Sequence, residues 1–197
     1  MIIWINGAFG AGKTTVAHEL DRRLANSFLY DPENAGYFIR RNTSGLFSNG
    51  DFQDIPLWRE INYQILSMIA KKYDGVVIVP MTLVSPIYYS EIIGKLIADG
   101  VDVRHYILYA ERNVIKHRLK KRMLPLVGNE DFALDALDRC IDFFDNHIKD
   151  VKIDTNNMSI ENVVDEIAKL SNLKLLPDRR TPLRKFLCRL NMMIRRI

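Results

Sequence analysis

Apolar residues along this chain fall into two patterns that alternate from one end to the other. Short continuous runs rich in β-branched residues are typical of buried strands. Five such runs cover residues 1–6, 27–31, 76–79, 103–110 and 151–154. Between them, apolar residues recur every three or four positions, as along one face of a helix. We therefore predict an α/β fold with a five-stranded parallel sheet and helices on both of its faces.

The sequence also marks the ends of the predicted helices. Pro56 and Ser159 are residue types that favour a first helical turn, and Gly100 favours a helix end. The first helix follows the first strand directly, and the others cover residues 32–41, 56–72, 86–99, 111–123, 131–149 and 159–170. In such a fold, ligands bind at the carboxyl ends of the strands.

The turn between the first strand and the first helix carries a glycine-rich motif. Residues 7–14 match G-x-x-x-x-G-K-[ST] without a mismatch. Glycine lets successive backbone N–H groups converge on a polyphosphate, Lys13 adds a cation, and the Thr14 hydroxyl can bind Mg²⁺. The sequence therefore predicts a P-loop NTPase that uses ATP and Mg²⁺, with Lys13 also catalytic and Thr14 the metal ligand. The predicted nucleotide-binding residues are Gly7, Ala8, Phe9, Gly10, Ala11, Gly12, Lys13, Thr14 and Thr15.

The second predicted strand ends at a carboxylate, Asp31, on the same sheet edge as the phosphate loop. A carboxylate there can take the proton of an acceptor hydroxyl or hold Mg²⁺. Asp, Pro and Glu at positions 31–33 are also good helix-start residues, and one aspartate can serve both purposes. We predict that Asp31 is catalytic and that Asp31 and Glu33 bind the acceptor.

Arginines supply the remaining candidate residues. Arg118 and Arg122 lie four residues apart on one predicted helical face, before a break at residues 125–129. They fit a lid that closes over the γ-phosphate and stabilises the transferring charge, and a solvated basic helix end is the alternative. Arg59 fits the binding of an anionic or sugar-bearing acceptor, or else a side chain packed along the surface.

The third predicted strand lacks a feature that P-loop proteins usually have. It runs into Pro80, Met81 and Thr82 without the carboxylate that commonly stands behind Mg²⁺. We therefore expect Thr14, the phosphates and water to hold the metal, unless Asp31 or Glu33 substitutes. The four histidines have no paired spacing and are assigned neither a metal nor a catalytic triad. A base could rest on residues 154–157, after the fifth strand.

Composition narrows the class of protein. The 197 residues, 48% of them hydrophobic, suit one domain, which we predict at residues 1–176. The two cysteines lie far apart in the sequence and point to a reducing compartment. The N-terminal apolar stretch is too short for a signal peptide, and no segment is expected to span a bilayer, which favours a cytoplasmic protein. The sequence does not predict the oligomeric state.

The tail, residues 177–197, differs in charge from the rest of the chain. It holds seven basic residues and one acid, whereas the first 176 residues hold 21 and 23, so nucleic-acid binding by the body is not expected. From residue 183 onward, apolar residues recur along one helical face with basic residues opposite. We predict a basic amphipathic helix in peripheral contact with an anionic membrane. Docking on the protein's own core, on a second subunit or on an acidic partner is the alternative.

Several segments together resemble the bacterial tunicamycin resistance proteins. They are residues 1–14, Tyr30-Asp31-Pro32-Glu33, Asp51-Phe52-Gln53 with Pro56-Leu57-Trp58-Arg59, residues 78–82 and the basic tail. The resemblance covers nearly the whole chain and is weakest at residues 124–136. It implies an ATP-binding protein with a fold similar to nucleoside and shikimate kinases, attached to the inner membrane face through its tail. It also implies resistance to tunicamycin, a fatty-acylated uridine nucleoside antibiotic, by phosphorylation or by binding.

The residues and the resemblance together predict a phosphotransferase that acts on a small molecule. It would move the γ-phosphoryl group of ATP to a hydroxyl, with Asp31 activating the hydroxyl and Arg118 and Arg122 stabilising the charge. Two alternatives stay open. The first is an ATP-binding protein that sequesters the antibiotic without chemistry, which the missing carboxylate after the third strand favours. The second is a kinase of another small metabolite.

Overall fold

The computed structural model describes residues 1–44, 46–47, 50–120, 130–181, 183–185 and 187–188. Its centre is a sheet of five strands: β1 (Ile2–Gly7), β2 (Ser27–Leu29), β3 (Val76–Pro80), β4 (Val103–Tyr109) and β5 (Val151–Asp154). Their order across the sheet is β2-β3-β1-β4-β5, and every neighbouring pair is parallel. The predicted fold class is confirmed.

Helices connect the strands. They are α1 (Lys13–Arg23), α2 (Glu33–Asn42), α3 (Pro56–Lys72), α4 (Pro86–Tyr89), α5 (Lys95–Ala98), α6 (Arg112–Lys120), α7 (Glu130–Asn146) and α8 (Ile160–Leu170). A short 3₁₀ turn, Phe52–Asp54, precedes α3, and a π-helical stretch, Ser90–Gly94, joins α4 to α5. The single helix predicted over residues 86–99 therefore contains one wider turn, which an apolar repeat of three or four residues does not reveal.

The central strand β1 is buried over its whole length, which explains its continuous apolar sequence. Alternate side chains of a strand point to opposite faces of the sheet. Ile3 and Ile5 pack with apolar residues of α1, α7 and α8, whereas Ile2 and Trp4 pack with residues of α3 and α5. Burial of each such side chain contributes roughly 1.5–3 kcal/mol. Two apolar cores thus hold β1 from both faces.

The parallel register brings the carboxyl ends of the strands to one edge of the sheet. Ile5 of β1 lies beside Pro80 of β3 and Tyr106 of β4, and Leu29 of β2 lies beside Ile78 of β3. The segments that leave β1, β2 and β3 therefore meet at this edge, where α/β proteins bind their ligands.

β2 ends two residues earlier than the sequence predicts. Tyr30 still donates its N–H to the Ile78 carbonyl oxygen at 2.9 Å, but Asp31 Oδ1 accepts the N–H of Glu33 at 3.0 Å. This local bond from side chain to backbone competes with strand pairing and turns the chain into α2.

Beyond α8, the chain returns along the outer side of α1 and α8. Arg180 pairs with Glu19 of α1 and with Asp178, and Lys185 lies 3.5 Å from Glu161 of α8. The start of the basic tail therefore packs on the body of the protein. The described residues after 182 are helical. Most of the predicted amphipathic helix, at 182, 186 and 189–197, lies outside the described residues, and the boundary at residue 176 stays a prediction.

No helix in the described ranges combines the length and the apolar character needed to cross a bilayer.

Candidate nucleotide-binding and acceptor site

The phosphate loop joins the buried strand β1 to the first turn of α1. Gly7 has a φ of 148° and Gly12, the N-cap of α1, a φ of 96°, values that residues with a β-carbon rarely adopt. A β-carbon on Gly7 would lie 2.8 Å from the Leu108 carbonyl oxygen. The loop thus passes tightly against β4, and its amides at the helix start form a concavity that fits the polyphosphate of ATP.

Lys13 is the first residue of α1, and its side chain folds back over the loop. Its Nζ donates to the carbonyl oxygens of Gly7 and Ala8 at 2.8 and 3.0 Å and lies 5.5 Å from the centre of the Phe9 ring. The ammonium is therefore held at the loop, where it can neutralise phosphate charge. Of the other predicted residues, Gly10 and Ala11 lie in the loop before α1, and Thr14 and Thr15 lie in the first turn of α1.

Thr14 is the candidate metal ligand. It is half-buried in the first turn of α1, beside the loop. A hydroxyl oxygen suits Mg²⁺, which keeps several of its waters and binds phosphate oxygens in such sites. Within the part of the chain that the structure describes, no three His, Cys, Asp or Glu side chains gather as a metal site. The donors present fit Mg²⁺ held by Thr14, phosphates and water.

A cleft of about 310 Å³ opens beside the loop, on the side of β5. Gly10–Gly12 form one of its walls, and the segment that follows β5 forms another. Arg118 of α6 joins the walls, with Nη1 3.0 Å from Thr155 Oγ1 and Nη2 donating to the Thr155 carbonyl oxygen at 2.5 Å. Burial lowers the pKa of Arg118, although a guanidinium still keeps its charge at neutral pH.

Arg118 thus belongs to the walls of a cleft next to the phosphate loop. Its role in stabilising the transferring charge stays a prediction, and Arg122 lies outside the described residues. Met158, Ile160 and Val163 give the cleft apolar surface, which suits the flat face of a base. The sequence pointed to residues 154–157 for a base but missed these three, because apolar residues near a helix start look alike whether they line a core or a cleft.

On the other side of the loop, the chain leaves β2 through Asp31. Asp31 Oδ1 bonds the N–H of Glu33, the first residue of α2, and the Pro32 carbonyl oxygen accepts Trp58 Nε1–H at 2.9 Å. Burial, and after it the charge of Asp31, raises the pKa of Tyr30 to about 12. Asp31 therefore serves the helix start, and its carboxylate lies at the sheet edge where an acceptor would bind.

Arg59 is buried, with 7% of its surface exposed, rather than packed along the surface. Its Nε donates to Glu91 Oε2 at 2.5 Å and its Nη1 to the Gln53 carbonyl oxygen at 2.5 Å. The guanidinium also lies 5.1 Å from the centre of the Tyr88 ring. These partners belong to segments that follow β2 and β3, so Arg59 joins these two segments while Glu91 balances its charge.

Two polar residues that the sequence analysis did not single out hold the loop in place. Thr82, just beyond β3, donates its hydroxyl to the Gly7 carbonyl oxygen at 2.9 Å. Asn6 Oδ1 accepts the Gly7 N–H at 2.8 Å. Thr82 thus ties the loop to the segment after β3, the strand that P-loop proteins commonly follow with a carboxylate. A signal for Asn6 was present, because it is the only polar residue in the apolar run 1–6.

Comparison with known proteins connects this site to a family. A family model described as an AAA domain matches residues 2–147. The solved structure of the Deinococcus radiodurans tunicamycin resistance protein is 31% identical, with a TM-score of 0.75, over 90% of this chain and 98% of that one. Shikimate kinase from Bacteroides thetaiotaomicron shares the fold at 19% identity and a TM-score of 0.58, over 88% of this chain and 99% of its own. A search of curated proteins finds no match.

A deoxyadenosine kinase from M. mycoides has the same fold at 18% identity and a TM-score of 0.54, over 87% of this chain and 99% of that one. The match over residues 2–147 includes the phosphate loop, Asp31 and Arg59. The chain therefore belongs to the AAA domain family and to the family of the tunicamycin resistance protein, with the fold of the P-loop kinases.

Proposed function

We propose that the protein transfers the γ-phosphoryl group of ATP to a hydroxyl of a small molecule, a nucleoside antibiotic such as tunicamycin. The observation that carries the proposal is the position of Asp31 on the sheet edge that also holds the phosphate loop. The 31% identity to a tunicamycin resistance protein supports the choice of acceptor. The small-molecule kinases among the similar folds support the reaction type.

The residues of the site have separate tasks in this reaction. The loop amides of residues 7–15 and the Lys13 ammonium bind and orient the phosphates. Asp31 accepts the proton of the acceptor hydroxyl as the hydroxyl oxygen attacks the γ-phosphorus. The bond between the γ-phosphorus and the bridging β-phosphate oxygen breaks, and ADP leaves. Bound Mg²⁺ would neutralise charge on the phosphate oxygens. Arg118 and Arg122 stabilise the charge of the transferring group.

The proposed acceptor side, formed by the segments that follow β2 and β3, suits a molecule without negative charge. Its buried cation, Arg59, is paired with Glu91, and Tyr88 donates its hydroxyl to Asp54. Asp31 adds a further carboxylate at the sheet edge. Hydroxyl groups of a sugar or nucleoside can donate to such carboxylates, whereas an anionic acceptor would be repelled. These contacts support a nucleoside acceptor over a carboxylic acid.

Mass spectrometry tests the reaction. Wild-type protein incubated with ATP, Mg²⁺ and tunicamycin is expected to add one phosphoryl group, and Asp31→Asn is expected to slow this at least about 100-fold. Asp74→Asn is the matched control, because Asp74 is exposed at the amino end of β3. Equal rates for wild type and Asp31→Asn would remove Asp31 from the mechanism.

One observation favours a second function, the ATP-dependent sequestration of the antibiotic. Thr82, rather than a carboxylate, follows β3 and bonds the loop, so the site offers fewer metal ligands than P-loop enzymes usually do. In that case calorimetry would show stoichiometric tunicamycin binding that requires ATP, and the antibiotic would be recovered unchanged. If the protein phosphorylates other hydroxyl compounds but not tunicamycin, it is instead a kinase of another metabolite.

We also infer that the tail attaches the protein to the inner, anionic face of the membrane. Arg180, bound to Glu19 and Asp178, fixes the start of the tail to the body. Basic residues close to such a surface contribute on the order of 1 kcal/mol each. Flotation with anionic vesicles should carry the full chain but not a chain that ends at Leu176, with neutral vesicles as the control. Equal flotation of both chains would contradict this attachment.

A further inference from the structure

A buried polar side chain anchors the first residue of the phosphate loop. Asn6 has no exposed surface. Its Oδ1 accepts the N–H groups of Gly7 and Leu83 at 2.8 and 3.0 Å, and its Nδ2 donates to the Leu83 carbonyl oxygen at 2.8 Å. These three bonds define the orientation of the Asn6 amide. If the amide were turned, its NH₂ group would face the N–H groups of Gly7 and Leu83, and donors do not bond to donors. Asn6 therefore ties the loop to the segment after β3.

His105 of β4 contacts the same amide from the other side. Its Nε2 lies 3.1 Å from Asn6 Nδ2, and its Nδ1 lies 2.5 Å from Asp150 Oδ2. An amide nitrogen donates and does not accept, so Nε2 must accept with its lone pair. The ring proton is then on Nδ1, facing the carboxylate. The geometry specifies the neutral Nδ1–H tautomer of His105.

The surroundings of the ring hold this arrangement. The His105 side chain is 4% exposed, and Tyr89 of α4 packs edge-on against it at 5.5 Å while donating its hydroxyl to Asp150 at 2.9 Å. Burial alone would raise the pKa of Asp150, but the hydrogen bond and the charge that His105 can supply, together with the hydrogen bond from Tyr89, outweigh burial and lower this pKa. The nearby charges of Arg104 and Asp102 pair with each other at 2.7 Å.

We propose that His105 is a positioning residue for the phosphate loop, and that protonation of its Nε2 releases Asn6 and weakens nucleotide binding as the pH falls. A protonated ring would point an N–H at the Asn6 NH₂, and two donors cannot bond. Either the amide turns and loses Gly7 and Leu83, or the two groups move apart and Asn6 loses its contact with β4. The anchor is thus complete while the ring is neutral and is lost at low pH. The proposal rests on the proposed function only in that the loop binds ATP.

Nitrogen-15 NMR of the full chain without nucleotide tests the anchor directly. At about pH 8 we expect His105 as the Nδ1–H tautomer. On acidification the Gly7 amide resonance should shift with the same midpoint as the His105 ring. An Nε2–H tautomer, or a Gly7 amide that does not follow the ring, would overturn the proposal. Because this measurement needs no ATP, its result is independent of the proposed function.

Variants test the link to nucleotide binding. His105→Gln keeps an acceptor for Asn6 but cannot be protonated, and His147→Gln removes an exposed histidine that lies 3.6 Å from Asp142. As the pH is lowered through the midpoint that NMR gives for the His105 ring, wild type and His147→Gln should lose roughly tenfold more affinity for a fluorescent ATP analogue than His105→Gln. Protonation of the ATP analogue itself affects all three chains equally.

Parallel pH profiles for the three chains would overturn the proposal. If His105→Gln does not fold, the coupled titration of Gly7 and His105 in the wild type decides the matter alone. A chain that binds no nucleotide at any pH would contradict the proposed function, while the NMR result would still decide the role of His105.

Discussion

At Gly7, the phosphate loop passes so close to β4 that it leaves no room for a side chain. A β-carbon there would lie 2.8 Å from the Leu108 carbonyl oxygen and 3.1 Å from the Ala11 β-carbon. Gly7→Ala should therefore destabilise the protein by about 2–4 kcal/mol, from backbone strain and steric conflict together. Gly100 also has a positive φ, 78°, but nothing lies within 4 Å of its β-carbon position. Gly100→Ala should cost about 1–2 kcal/mol.

Urea denaturation measures the loss of unfolding free energy in Gly7→Ala and in Gly100→Ala. Equal losses of unfolding free energy would show that the approach of the loop to β4 is looser than its geometry indicates, since both variants share the backbone strain and only Gly7→Ala adds the steric conflict.

The two thiols have different environments and should react differently. Cys140 is buried, and burial raises its pKa to about 11, whereas Cys188 is exposed. Because the thiolate is the reactive form, the folded protein at about pH 8 should react with a disulfide reagent at Cys188 alone. Both thiols should react in urea. Rapid reaction of a folded Cys188→Ser chain would contradict the burial of Cys140.

At the scale of elements, the ion pair between Arg59 and Glu91 joins α3 to the π-helical stretch. The side chains are 9% and 39% exposed, so Glu91→Gln leaves a buried guanidinium without its counter-charge. We expect a loss of about 1–3 kcal/mol in unfolding free energy. Lys95 and Glu60 join neighbouring elements at 3.2 Å with both side chains exposed. Glu60→Gln should leave stability unchanged, and an equal loss in both variants would contradict a role for burial.

The first turn of α8 borders the cleft and begins with a capping side chain. Ser159 Oγ accepts the Asn162 N–H at 3.1 Å. Ser159→Ala should destabilise the protein by about 1 kcal/mol, because the amide loses its partner. Ser90, exposed at the start of the π-helical stretch, is the C-cap residue of α4 through its backbone N–H, so Ser90→Ala, which keeps that N–H, is the matched control. Thermal unfolding measures both, and equal melting temperatures for the two variants would exclude this cap as a stabilising contact.

The five strands could be predicted because their runs of apolar residues are short, continuous and separated by helical repeats. The strand order could not, since apolar runs carry no information about which strand neighbours which. In the site, the phosphate-loop motif is local in sequence, so it could be recognised there as a candidate site. Arg59 and Glu91 are 32 residues apart, and Asn6 and His105 are 99 apart. Contacts between residues so far apart depend on the fold, and no motif of fixed spacing in the sequence reveals them.

At the scale of the whole molecule, nucleotide binding should stabilise the entire fold, because the loop is part of the central strand's connection to α1. ATP with Mg²⁺ at 100 times its dissociation constant adds about 2.7 kcal/mol, which raises the melting temperature by roughly 5–10 °C. Lys13→Ala should bind ATP at least about tenfold more weakly, and so show a smaller shift. Lys71→Ala, at the exposed end of α3, is the control. An unchanged shift in Lys13→Ala would contradict the nucleotide site.

The sheet order has a consequence for the shape of an acceptor. β3 separates β1 from β2, and strands lie about 4.8 Å apart, so the loop and Asp31 are about 10 Å from each other along the sheet edge. In the proposed reaction, the acceptor hydroxyl would therefore meet the γ-phosphate over the end of β3, between the loop and Asp31. Selection among acceptors would then depend on the placement of one hydroxyl rather than on overall size.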